Sequence, residues 1–309
     1  MLKKDNTVTI GALNANQRLD KFLFKYFNKA EKSLVYKLLR KKRIKLNSGK
    51  AEGNELLNDG DVITFYLAPE TIESLYDGAA SPASSRNHAK KRGGVPPVVI
   101  YEDANLLIAN KPAGLLTHSE TVNDTDTFID RVIAYLRDKG EYTPAQGVFA
   151  PVCCNRLDRN TSGIIACAKN LPMAQKLNEA FKQRETVKIY TAVVCGRLSN
   201  DAGSKMPPLR IGMPIEGKDA LTEVMPMFCG ERNGAKFTVV KVRLHTGRQH
   251  QIRLHMKHIG HPIIGDPKYG DPKLNKTFGM RFQLLHASEL TVLGMKFDCE
   301  LPKEFGMFV

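Results

Sequence analysis

No stretch of this chain approaches the ~18 uninterrupted apolar residues that a membrane span needs, so no span is expected. Met1 to Ile10 carry no apolar h-region; a secretory signal is not expected, and the chain is placed in the cytoplasm. The six cysteines include no C-x-x-C pair, and Cys153 and Cys154 are adjacent and poorly placed to bridge each other. Reduced thiols are the expectation, with Cys167 and Cys195 as small core residues inside apolar runs. An H-E-x-x-H pair, a P-loop and a Rossmann glycine signature are all missing, so neither a metal nor a nucleotide cofactor is expected.

Positive charge is what the chain has in excess. A formal net charge of +14 points to a polyanionic partner. Residues 17–50 hold 12 Lys or Arg against Asp20 and Glu31, most of that surplus. In the same segment Leu19, Phe22, Leu23, Tyr26 and Phe27 recur at helical spacing, with Lys21 and Lys25 on the other side. Ser33 is expected to cap a second helix that runs to Arg40 and buries Val35, Leu38 and Leu39. The basic run Arg40-Lys41-Lys42-Arg43 then leads into an alternating strand with Ile44 and Leu46, an Asn47-Ser48-Gly49 turn, and a last strand from Val62 to Leu67.

Gln17 to Leu67 resembles the S4 RNA-binding module, whose second helix and following basic turn lie on structured RNA. The resemblance implies RNA contacts by Arg18, Lys37, Arg40, Lys41, Lys42 and Arg43. So many like charges in one small unit repel unless phosphates neutralise them.

The expected organisation is a tail at 1–16, the S4 module at 17–68, a linker at 69–97 and a second domain at 98–309. The linker reading rests on Gly, Pro and Ser content too apolar-poor to offset ordering entropy. In the second domain, strands are expected at Val98–Tyr101, Leu106–Asn110, Val187–Val194, Lys236–Leu244, Leu284–Thr291 and Met295–Cys299. Helices are expected from Thr127, with Ile129, Val132, Ile133 and Leu136 inward, and after Asn170, which caps. Strands joined without regular alternation with helices argue for an α+β fold with a mixed or antiparallel sheet.

The organising stretch runs from Asn155 to Lys169. Asp158 stands between Arg156 and Arg159, and a Thr161-Ser162-Gly163 turn leads into the apolar run from Ile164 to Ala168. Cations beside a carboxylate favour its ionised form, so Asp158 is expected to be an anion, a nucleophile in preference to a general acid. A surface ion-pair cluster is the alternative. A second cluster follows at 244–270, where a short helix from His250 puts Ile252, His255, Met256 and Ile259 on one face, with Arg253 at its edge in reach of a carboxylate. Lys and Arg interleave the histidines of this cluster and raise the cost of holding a cation, so structural or RNA-facing histidines are expected there.

Several motifs in order now carry a wider resemblance. Tyr101-Glu102-Asp103 through Gly114 and His118, Arg156 through Gly163, Lys188-Ile189-Tyr190-Thr191-Ala192, Thr246 through His255, Gly260 through Gly270 and Leu285-His286-Ala287 resemble an RluA-type pseudouridine synthase across nearly all of 98–300. The resemblance implies an isomerase that detaches uracil from its ribose, turns it and rejoins it through C5. It assigns catalysis to Asp158 as nucleophile, Tyr190 on the uracil and as a candidate for proton transfer at C5, and Arg253 pairing with the aspartate. Arg156 matches the side chain that fills the gap left by a flipped-out base.

The S4 module ahead of the domain implies large-subunit (23S) ribosomal RNA as the substrate; a monomer with no cofactor and no membrane partner is expected. A synthase acting on transfer RNA and a non-catalytic RNA-binding or ribosome-assembly factor are the competing readings; the trio Asp158, Tyr190 and Arg253 argues against the second. Asn155 and Asn160 depart from the His and Asp usual in the family, and Lys111-Pro112-Ala113-Gly114 is read as a turn without chemistry.

Overall fold

The computed structural model describes residues 6–75, 94–121, 124–143, 149–198 and 207–308. They gather into two compact units: residues up to Pro96 with Ile129–Val152 and Ala168–Lys176, and Pro97–Phe128 with Cys153–Cys167 and Leu177–Val309.

The N-terminal segment runs β1 (Thr7–Thr9), α1 (Leu19–Tyr26), α2 (Lys32–Arg40), β2 (Ile44–Leu46), β3 (Gly49–Lys50), β4 (Val62–Phe65) and α3 (Pro69–Ser74). Its antiparallel sheet has the order β1-β4-β2-β3. The helix faces legible in the sequence form its core: Leu19, Phe22, Leu23, Val35 and Leu39 bury together, and the rings of Tyr26 and Phe27 lie 5.0 and 5.1 Å from Phe65. Three boundaries differ from expectation. Part of the expected tail is β1, because Ile10 is buried and Val8 packs on the same core. Helix α2 starts before Ser33, whose hydroxyl bonds Glu31 and caps nothing. Where the linker was expected, Pro69–Ser74 is helical and buries Ile72; 76–93 lie outside the described residues.

Helix α2 closes with the Arg43 N–H donating to the Leu38 carbonyl and the Lys42 N–H to that of Leu39. Lys42 takes a left-handed φ of 58° there, a position glycine fills most easily. The chain places a lysine instead, in the middle of its most basic run.

The larger segment adds β5 (Val98–Glu102), β6 (Leu106–Lys111), α4 (Phe128–Asp138), β7 (Val152–Cys153), β8 (Ser162–Ala168), α5 (Leu171–Lys182), β9 (Val187–Cys195), β10 (Leu209–Ile211), β11 (Thr222–Arg232), β12 (Ala235–Leu244), α6 (Gln251–His258), α7 (Pro272–Phe278), β13 (Leu285–Val292) and β14 (Met295–Asp298). One sheet runs β10-β11-β12-β9-β13-β8-β6-β5, with β14 on β13 and β7 on β8. Most pairings are antiparallel and β13 with β8 is parallel, so the expected mixed sheet of an α+β fold is present. Strand β11 was not expected: Pro226 interrupts its pattern at a bulge, which an edge region tolerates. The stripe Ile129, Val132, Ile133 and Leu136 of α4 is buried as its period requires, and Asn170 caps α5 by accepting from the Met173 N–H. All six cysteines are free thiols. Among the described residues no helix is long and apolar enough to cross a membrane.

Where β8 meets β13 the two backbones nearly touch. A Cβ on Gly163, at φ 117°, would lie 2.3 Å from the Ala287 carbonyl oxygen. Glycine is required there, and with it the entry of the Asp158 loop into the sheet.

Candidate active site

A set of hydrogen bonds holds the loop that carries Asp158. The Thr117 hydroxyl donates to the Leu157 carbonyl at 2.9 Å and accepts from the Leu157 N–H at 3.2 Å. The Gly114 N–H and the Lys111 ammonium both reach the Arg159 carbonyl, at 2.9 and 3.1 Å. The Thr161 N–H closes a turn on the Asp158 carbonyl, and Gln283 donates to the Thr161 hydroxyl. Ser162 meets His286, which burial holds near 4 and therefore neutral. Asn155 bonds the Ile164 carbonyl and the Ala166 N–H, which accounts for an amide at that position.

The carboxylate of Asp158 emerges from this frame partly exposed. Its Oδ2 accepts from Arg253 Nη1 at 2.9 Å, across 95 residues of sequence, and lies 3.8 Å from His250 Nε2. Arg253 is itself gripped from behind: its Nε and Nη2 form a fork on Asp266 at 2.7 and 2.9 Å. Asp266 is fully buried, and Oδ1 also accepts from the Lys268 and Tyr269 N–H groups. Burial opposes both charges of this pair. The fork and the two backbone donors nonetheless hold the Asp266 carboxyl below its usual range, and the two carboxylates raise the Arg253 guanidinium. Tyr269 covers the guanidinium, its ring centre 4.9 Å away, and its hydroxyl lies 3.1 Å from His250 Nδ1.

Tyr190 lines the same groove from β9, where it pairs with Val242 and Ala287. Burial first, and then the Asp158 carboxylate, push its phenol well above the usual range. It is a neutral ring face; removing a proton through it needs the ionised form, which its surroundings disfavour. The groove has a volume of about 910 Å³, open enough for a nucleotide, and Asp158, Tyr190, Arg253 and Arg156 all line it.

The arginines adjacent to Asp158 in sequence are not its partners, contrary to the local reading. Arg156 is exposed at the rim, 4.0 Å from Glu120, and Arg159 lies 3.9 Å from Asp124. In the N-terminal unit Arg18 pairs with Asp20 at 2.7 Å, while Lys37, Arg40, Lys41, Lys42 and Arg43 are exposed with no carboxylate partner among the described residues. No group of His, Cys, Asp and Glu among the described residues could hold a metal ion.

Residues 105–258 match the RNA pseudouridylate synthase family. The uncharacterised RNA pseudouridine synthase YlyB of Bacillus subtilis is 30% identical, over 98% of this chain and 96% of its own length. The chain belongs to the RNA pseudouridine synthase family. It is accordingly an isomerase that converts uridine in RNA to pseudouridine. It is also similar to ribosomal large subunit pseudouridine synthase D of Borreliella burgdorferi, 32% identical over 73% of this chain and 72% of that one. Ribosomal large subunit pseudouridine synthase C of Escherichia coli is 29% identical over 81% and 75%. The fold is shared with a solved structure, human RNA pseudouridylate synthase domain containing 4, at a TM-score of 0.53 and 22% identity, covering 68% of this chain and 90% of that one.

Sequence reasoning passed over four residues of this synthase's groove and its supports: Lys111, Thr117, His250 and Asp266. Lys111 had a legible signal, a cation ending the wholly apolar run Leu106–Ala109. It is fully buried, and its ammonium donates to the carbonyls of Pro112, Leu115 and Arg159 at 2.9, 2.7 and 3.1 Å. Burial draws its pKa down to about 7, against the pull of Asp158. Lys111→Met leaves the Pro112 and Leu115 carbonyls without this donor, each at a cost of about 1–3 kcal/mol, while the Arg159 carbonyl keeps the Gly114 N–H. A fall in urea midpoint together with a lower turnover rate is the expected result; an unchanged midpoint removes Lys111 from the support of the loop.

Proposed function

We propose that this synthase modifies large-subunit ribosomal RNA, with Asp158 as the nucleophile on a flipped-out uridine. The observation that carries the reading is the Asp158 carboxylate, open to the groove, 2.9 Å from a guanidinium whose other face is fully engaged by Asp266. A carboxylate held this way keeps its orientation while a pyrimidine approaches. Attack falls at C1′ of the sugar or C6 of the base, or the carboxylate helps form a glycal. Tyr190 supplies the ring on which the everted base stacks. Arg156, exposed at the rim, enters the gap that the base leaves. The relatives named as large-subunit synthases support ribosomal RNA as the substrate class.

The N-terminal residues 17–68 act as an S4-type RNA-binding module in this reading. Support comes from the unpaired basic run and from Lys42, kept at a left-handed turn where glycine is easier. Replacing Lys41, Lys42 and Arg43 together by Gln is expected to flatten the salt dependence of RNA binding by about one unit of log–log slope per lost phosphate contact. A wild-type slope takes them out of the interface. The substrate itself is tested by mapping pseudouridine in ribosomal and transfer RNA from cells with and without this gene. A site in large-subunit RNA that disappears supports the reading; loss confined to transfer RNA overturns it.

A further inference from the structure

Seven Lys or Arg side chains line the groove against two carboxylates, Glu120 and Asp158. Most of the cations are engaged. Arg253 holds Asp158, Arg156 and Arg159 lie near Glu120 and Asp124, Lys182 is 3.8 Å from Glu179, and Arg248 donates its Nε to the Asp219 carbonyl. Among the described residues Lys188 and Arg184 have no carboxylate partner.

Their placement is unusual on two counts. Lys188 sits on β9 two residues before Tyr190, so the two side chains share one face of the strand, about 7 Å apart, both toward the groove. Its ammonium is half-buried against Gly247, 3.8 Å from where a Cβ would stand, so the glycine leaves the space beside it open. Burial and the neighbouring Arg184 draw its pKa down, the mark of a cation held without a counter-ion. Arg184 ends the turn after α5 at φ 60°, with the Glu185 N–H closing on the Ala180 carbonyl. Glycine is the easy residue at such a position, and a guanidinium stands there at the groove's edge.

We infer that Lys188 and Arg184 form a phosphate subsite that takes the RNA backbone phosphodiester next to the flipped-out uridine. The inference rests on the reading of the groove as the uridine site. Two neighbouring cations that line one groove repel until an anion joins them, and the anion that comes with a uridine is its own backbone phosphate. On this arrangement β9 presents a ring for the base and an ammonium for the phosphate on a single face, which fixes where along the strand of RNA the target nucleotide sits.

The test uses the full chain with Arg184→Gly and Lys188→Met. Both variants are expected to keep or raise the melting temperature, since glycine is at ease at that φ and methionine keeps the stem while removing the repulsion. Binding to a large-subunit ribosomal RNA transcript, measured against salt, is expected to lose about 0.7–0.9 of log–log slope per variant. KM for the same transcript, followed by tritium release from 5-tritiated uridine, is expected to rise about fivefold with kcat within about threefold. Wild-type slope and KM in both variants overturn the subsite. The two failures are distinct: a wild-type chain that releases no tritium while its variants lose slope sinks the catalytic reading and keeps the subsite. Full turnover with unchanged slopes does the reverse.

Discussion

Asp158→Asn is expected to abolish pseudouridine formation while leaving the chain folded and bound to RNA. The loss in turnover should be on the order of 10⁴-fold or more, the scale seen when a nucleophile is removed from a preorganised site. The fold survives because the guanidinium of Arg253 keeps the fork on Asp266, so no uncompensated charge is left inside the protein. RNA affinity should stay within about twofold, since phosphate contacts dominate it. Tritium release and anisotropy on one substrate check both halves, and turnover near wild type would remove Asp158 from the chemistry.

The second aspartate behaves in the opposite way. Asp266→Asn takes the buried half of the pair, and breaking a buried ion pair from one side costs about 3–5 kcal/mol. A urea melt should register a loss of that size where Asp158→Asn registers almost none. In the fraction that folds, a slackened Arg253 no longer fixes the Asp158 carboxylate, and misplacement of about 1 Å lowers kcat by about 10²-fold. The pH dependence gives an independent reading. The folded carboxyl of Asp266 lies below its ordinary value, so its contribution is fully present above the unfolded value of about 3.9 and is lost as pH falls through the lower folded value. The gap in stability between wild type and Asp266→Asn should therefore hold from pH 7 down to about 4 and narrow below it. A gap that stays constant down to pH 3 would place the stabilising charge elsewhere.

These two residues also separate what a sequence can say from what it cannot. Asp158 was conspicuous: a carboxylate between arginines, ahead of a Thr-Ser-Gly turn and an apolar strand, breaks the local pattern, and the motifs around it carry the resemblance to the family. Asp266 lay inside the Gly260–Gly270 motif but drew no role of its own, because what distinguishes it is complete burial behind Arg253. Lys111 was dismissed for the same reason: nothing local reveals that its ammonium joins carbonyls as far away as Arg159.

Local chemistry settled the helix faces, the helix cap at Asn170 and most of the strands, and singled out the candidate nucleophile, since apolar period and turn residues act over a few positions. Only the tertiary structure decided which charges meet. Arg156 and Arg159 flank Asp158 in the chain but point to other carboxylates, while Arg253, 95 residues on, reaches it because α6 and the loop before β8 come to the same groove. Coulomb attraction follows distance in space, and in a sheet assembled from distant strands that distance is set by which strand lies beside which.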